Sequence, residues 1–136
     1  MKTKMLKIFA IIILFAQVNI ILAGAMIAQP GLSAVSDGQS VILTWQTTQE
    51  VNLKHFVVER KPADGHYVQI GVVDPVDGKY YEYTDRTAYK ADEAVYVYRL
   101  KIVDQDGSVT YSGETSVLHN VSSARKTWGS IKALFR

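Results

Sequence analysis

Val41-Ile42-Leu43-Thr44-Trp45-Gln46-Thr47 sets Val41, Leu43 and Trp45 on one phase and Ile42, Thr44 and Gln46 on the other. Successive side chains of a strand point to opposite faces, so this stretch reads as a strand with one apolar row turned inward. The rhythm recurs downstream. Phe56 and Val58 alternate with Val57 and Glu59, Tyr81 and Tyr83 flank Glu82, and Tyr98, Leu100 and Ile102 alternate with Arg99 and Lys101. Such β-branched and aromatic runs suit strands buried on one face. A slip of one residue would turn each apolar row to water, so register is specified.

Turn residues punctuate these runs. Ser36-Asp37-Gly38-Gln39, Ala63-Asp64-Gly65-His66, Pro75-Val76-Asp77-Gly78 and Gln105-Asp106-Gly107-Ser108 each hold an Asp-Gly pair, which tolerates positive φ and closes hairpins. Strands are expected near 31–35, 40–47, 55–61, 67–73, 80–85, 95–103 and 108–118. With no helical period among them, these seven strands predict an all-β chain, a seven-stranded antiparallel β-sandwich. Trp45, Phe56, Val58, Tyr98 and Leu100 are its expected core.

Leu43-Thr44-Trp45-Gln46-Thr47-Thr48-Gln49-Glu50-Val51-Asn52 followed by Phe56-Val57-Val58-Glu59-Arg60 resembles the opening of a fibronectin type III-like domain. The style is that of secreted proteins of Bacteroidetes and related bacteria. Tyr67-Val68-Gln69-Ile70-Gly71, Tyr83-Thr84-Asp85 and the run from Tyr98 to Gly107 continue the resemblance in order, over roughly residues 31–118. It implies that Trp45 lies on the second strand and Tyr98 on the sixth, both between the sheets. The resemblance speaks to fold, because sandwiches of this kind host many functions. Such relatives often carry a C-terminal sorting domain, where this chain has a short basic tail.

The N-terminus reads as a leader. Lys2, Lys4 and Lys7 precede an apolar run from Ile8 to Ala16 that continues, interrupted, to Ala23. Ala23-Gly24-Ala25 then supplies small residues for a signal peptidase, with cleavage expected after Ala25. An uncleaved membrane anchor is the second reading, since the run approaches the ~20 residues that span a bilayer, although Gln17 and Asn19 weaken it. The expected organisation is a leader at 1–25, a linker at 26–30, the sandwich at 31–118 and a tail at 119–136. The chain has no cysteine, so its core alone must hold it.

Charge is uneven. The formal +2 includes the three leader lysines; without them 12 basic residues face 13 acidic ones. All 13 acids and eight bases fall within residues 31–118, a net of −5, which argues against nucleic-acid binding there.

Candidate chemistry is sparse. His55, His66 and His119 lack ligand spacing and are expected at edges or in solvent, with no metal. Asp104-Gln105-Asp106-Gly107 resembles the start of a calcium loop, but Glu114 falls too early for the twelve-residue form and a hairpin explains the residues. Glu50, Asp92 and Glu93 are expected in loops, with Glu50 and Asn52 accepting loop N–H bonds. Nothing matches a nucleophile triad, a phosphate loop or a nucleotide fingerprint, and neither catalysis nor a cofactor is expected. Asn120-Val121-Ser122 fits a glycosylation acceptor, which is accidental if the chain is bacterial, as the resemblance implies.

The tail stands apart. Trp128, Ile131, Leu134 and Phe135 recur at helical spacing with Arg125, Lys126, Lys132 and Arg136 around them. A basic amphipathic helix can dock on a partner protein, an anionic membrane or export machinery, and can equally pack on its own acidic domain. The expected function is thus an exported binding or structural module whose tail docks. The alternative is an accessory carbohydrate-binding domain, with Tyr80, Tyr89 and Tyr96 as its aromatic platform.

Overall fold

The computed structural model describes residues 24–88 and 93–120. Nine strands account for most of them: β1 (Gly24–Ile27), β2 (Ser33–Ser36), β3 (Val41–Val51), β4 (Leu53–Pro62), β5 (Val68–Val73), β6 (Tyr80–Asp85), β7 (Glu93–Asp104), β8 (Val109–Tyr111) and β9 (Thr115–Asn120). They form two antiparallel sheets. In the first, β3 pairs with β1, β2 and β6; in the second, β5, β4 and β7 lie side by side, and β7 also pairs with β8 and β9.

The inward rows meet as the alternation predicts. Val41, Leu43, Phe56, Val58, Tyr98 and Leu100 are fully buried, and Trp45 and Tyr81 nearly so. Trp45 and Tyr81 are register partners across β3 and β6, and their rings stack 5.3 Å apart. Phe56, from the second sheet, meets both edge-on at 5.5 and 4.9 Å. Offset and edge-to-face contacts of this kind add about 0.5–1.5 kcal/mol per pair beyond the burial of area. Gly71 on β5 makes room for a further crossing. A Cβ there would strike the Tyr83 ring, whose hydroxyl donates to the Ile70 carbonyl of the opposite sheet at 2.6 Å.

Four features differ from the sequence reading. First, β1 pairs Gly24 with Val51 and Ala25 with Glu50, so the expected leader end and linker carry a strand. Second, the loop expected after residue 47 shrinks to Asn52, whose φ of 58° turns the chain from one sheet directly into the other. Asparagine is among the few residues that take this left-handed conformation readily. Third, Asp77-Gly78 closes no hairpin, because β5 and β6 belong to different sheets. Fourth, the last expected strand is two. Ser112 interrupts it: its hydroxyl accepts from the Leu100 N–H at 2.8 Å, in place of a ladder carbonyl.

Two of the hairpins are fixed by aspartates, Asp37 and Asp106. Asp37 accepts the backbone N–H groups of Gln39 and Ser40 at 2.8 and 2.7 Å, and these bonds, Ser40's first, hold its carboxyl below the ordinary range. Gly38 supplies the positive φ of 84° that the turn needs.

One polar cluster ties the two sheets together. Asp85 of β6 accepts Arg60 Nη1 at 2.6 Å and the Tyr98 hydroxyl at 2.9 Å, both from the second sheet. Its other oxygen accepts the Thr87 N–H and hydroxyl at 2.9 and 2.7 Å. Burial works to raise this carboxyl, yet the bonds from Thr87, Arg60 and Tyr98 outweigh it and hold the group below its ordinary value. A depressed folded-state value stabilises the fold above the unfolded value, about 3.9, and that contribution is lost as pH falls through the folded value.

Asp85→Ala is therefore expected to cost about 3–5 kcal/mol near neutrality, by stranding Arg60 and Tyr98 in the interior. The gap between wild type and variant should narrow in acid, below about pH 4. Urea unfolding at neutral and acidic pH checks both; an equal gap at both would contradict the linkage.

Candidate binding surfaces

The outer face of the second sheet carries the most organised surface cluster. Arg99 on β7 stands opposite Glu59 on β4 in the ladder, and its Nε donates to Glu59 Oε2 at 2.7 Å. Both belong to the outward phase, since their neighbours Val58, Tyr98 and Leu100 point into the core. The Arg99 guanidinium carbon lies 3.8 Å from the centre of the Tyr67 ring and 4.2 Å from that of Tyr111. Tyr67 reaches over the sheet and donates its hydroxyl to Glu114 Oε1 at 2.6 Å, while Lys61 Nζ sits 5.0 Å from the same ring.

Electrostatics reinforce the stack. Partial burial, then the bond to Glu114, pushes the Tyr67 phenol up, so it remains a donor. Burial alone would ease the proton off Arg99, but Glu59 more than offsets it. The guanidinium is thus a fixed cation between aromatic faces, with one edge spent on Glu59. Among the described residues its two Nη groups have no hydrogen-bond partner, and they are the donors best shaped for a carboxylate or carbonyl. Tyr111 is 51% exposed beside them.

A second feature is a cleft of about 220 Å³ on the first sheet, lined by Gln29, Pro30, Ser33, Thr44, Gln46 and Tyr80. Trp45 also lines it, and Tyr80, another lining residue, is 53% exposed. The Trp45 Nε1 is buried with no acceptor among the described residues.

The residues singled out from the sequence fall as follows. Trp45, Phe56, Val58, Tyr98 and Leu100 are core, as expected. Tyr96 is not a platform residue: it is 9% exposed and packs in the core cluster, with Arg60 over its ring at 4.7 Å. His119 is not in solvent. It is fully buried in β9, its Nδ1 lies 2.7 Å from the Ser36 hydroxyl, and its Nε2 has no partner among the described residues. The inward phase of β9, extending past residue 118, accounts for this. Glu50 lies in β3 rather than a loop, and it accepts hydroxyls from Thr47 at 2.6 Å and Tyr81 at 2.5 Å instead of loop N–H groups. Burial, then Glu50, pushes the Tyr81 phenol up to about 12. Asp106 caps its hairpin by accepting from Ser108, while Asp104 is buried at the end of β7.

Among the described residues no group of three or more metal-binding side chains is assembled. Tyr89, Asp92 and every tail residue named for docking (Arg125, Lys126, Trp128, Ile131, Lys132, Leu134, Phe135 and Arg136) lie outside the described residues. The Arg99 cluster was not foreseen. Its only sequence signal is opposite charge on the outward phases of two strands 40 residues apart. No protein-family model, curated protein or solved structure matches the chain.

A surface arginine ordinarily changes stability by less than about 0.5 kcal/mol. Two ring contacts and an ion pair should raise the cost of Arg99→Ala to about 1–2 kcal/mol. Urea unfolding measures this, and a change within error would mean that the stack exerts no hold on the folded protein.

Proposed function

We propose that this chain is an exported, non-catalytic binding module of the fibronectin type III kind. Its outer sheet face and its basic tail engage a partner, which is a protein, a membrane or the export machinery. The family reading draws support from the strand order. The first, second, third and sixth strands share one sheet and the rest share the other, as in Greek-key sandwiches of the immunoglobulin class. The observation that carries the binding reading is Arg99 held by Tyr67 and Tyr111 with its Nη donors unspent. Tyrosine and arginine are enriched where interfaces concentrate their energy, and prior ordering lowers the entropic cost of association. The tail adds Trp128, Ile131, Leu134 and Phe135 as apolar anchors, with four bases to steer toward anionic surface.

The test combines two variants of the full chain. Arg99→Ala should weaken association with the captured partner by about 2 kcal/mol or more, roughly 30-fold, while the protein stays folded. Removing residues 123–136 should release it from that partner or from membranes. Unchanged capture and localisation in both variants would reject the reading.

A second reading rests on the cleft beside Tyr80, whose exposed ring and amide-lined wall could hold a sugar ring. A glycan array settles it: binding should vanish in Tyr80→Ala, and no binding by the wild type removes this alternative.

A further inference from the structure

Asp104 continues the inward row of β7 after Tyr98, Leu100 and Ile102, at the pole where β3 turns into β4. It is 3% exposed. One oxygen, Oδ2, accepts the Ser108 hydroxyl at 3.2 Å, and Oδ1 is buried with no partner among the described residues. Neither of the two ion pairs among those residues, Arg60–Asp85 and Arg99–Glu59, involves it. A carboxyl group in that position is costly unless a donor or a cation reaches it.

The group that faces it is Gly24, the first residue of β1. A Cβ built on Gly24 would lie 3.5 Å from Asp104 Oδ2, so by standard backbone geometry the Gly24 nitrogen lies within about 6 Å of that oxygen. Gly24 is buried, and its φ of +126° is one that side-chain-bearing residues avoid. Downstream, Ala25 and Ile27 pack against the core, and both Gly24 and Ala25 pair with β3. Cleavage after Ala25, which the small-residue pattern favours, would remove two of the four residues of β1.

We propose that the leader is removed at the Ala23–Gly24 bond, and that the α-ammonium so created on Gly24 is the counter-ion of Asp104. Hydrolysis by a leader peptidase consumes one water. Its oxygen goes to the Ala23 carbonyl carbon, which leaves as a carboxylate, and both its protons go to the Gly24 nitrogen, which becomes the ammonium. Ala23 supplies the small residue on the leader side of the bond. The whole of β1 is then retained, and the unusual φ at Gly24 disappears, because a first residue has no preceding peptide. The inference rests on the export reading, which supplies the leader and the peptidase.

Intact-mass and N-terminal sequencing of the exported full-length product tests the site of cleavage. A chain beginning at Gly24 is expected. One beginning at Met26, or an exported chain that retains Met1 to Ala23, overturns the inference and leaves export standing, whereas a chain found only in the cytoplasm removes both. The pairing has its own readout in the rate at which an acylating reagent modifies the α-amine. A neighbouring carboxylate favours the protonated amine by at least one pKa unit, so Asp104→Asn should raise the rate near neutral pH about tenfold. Circular dichroism confirms that the variant is folded, and an unchanged rate in folded protein overturns the pairing.

Discussion

Asp85 ends β6 in the first sheet and accepts hydrogen bonds from Arg60 and Tyr98, which belong to the second. The two layers share no disulfide, for the chain has no cysteine. Apolar contact holds them face to face but is non-directional and would tolerate sliding. A carboxylate that reaches across the gap with one oxygen, its other held by Thr87, fixes one alignment, and the Trp45–Tyr81–Phe56 ring cluster then packs in that alignment. The cluster depends on the polar tie in a second way. Tyr98 buries its ring in the core only because its hydroxyl finds Asp85.

The two poles of the sandwich are unequal. At the Asp85 pole every oxygen of the buried carboxyl has a partner, and Arg60 also lies over Tyr96. At the Asp104 pole one oxygen is left without a partner among the described residues, beside the start of β1. A fold that satisfies one inward acid so fully leaves the other beside Gly24, the first residue of β1. The outward faces are separate from both poles, so the Arg99 stack can meet a partner without disturbing either tie.

Alternation made much of this legible. Val41, Leu43 and Trp45, or Tyr98, Leu100 and Ile102, announce an inward row because side chains on a strand repeat every two residues. Both rows are buried in the structure. The reading failed where local rules give no warning. Met26 and Ile27 lie in a short segment with no clear rhythm, and only pairing with β3 makes it a strand. His119 looked polar and terminal, yet the inward phase of β9 carries it into the core. Tyr96, expected on an outward platform, shares the parity of Tyr98, and that parity places it inside.

Sequence alone determined that the described body is built of strands, which residues face inward in its central strands, and where several of its turns close. Those properties depend on neighbours a few positions away. The tertiary structure alone decided which strands share a sheet, and therefore that Asp85 meets Arg60, that Arg99 lies against Tyr67 and Tyr111, and that Asp104 faces Gly24. Each of these joins residues far apart in the chain. Their meeting depends on how two twisted layers settle around a shared core, and no local period encodes that.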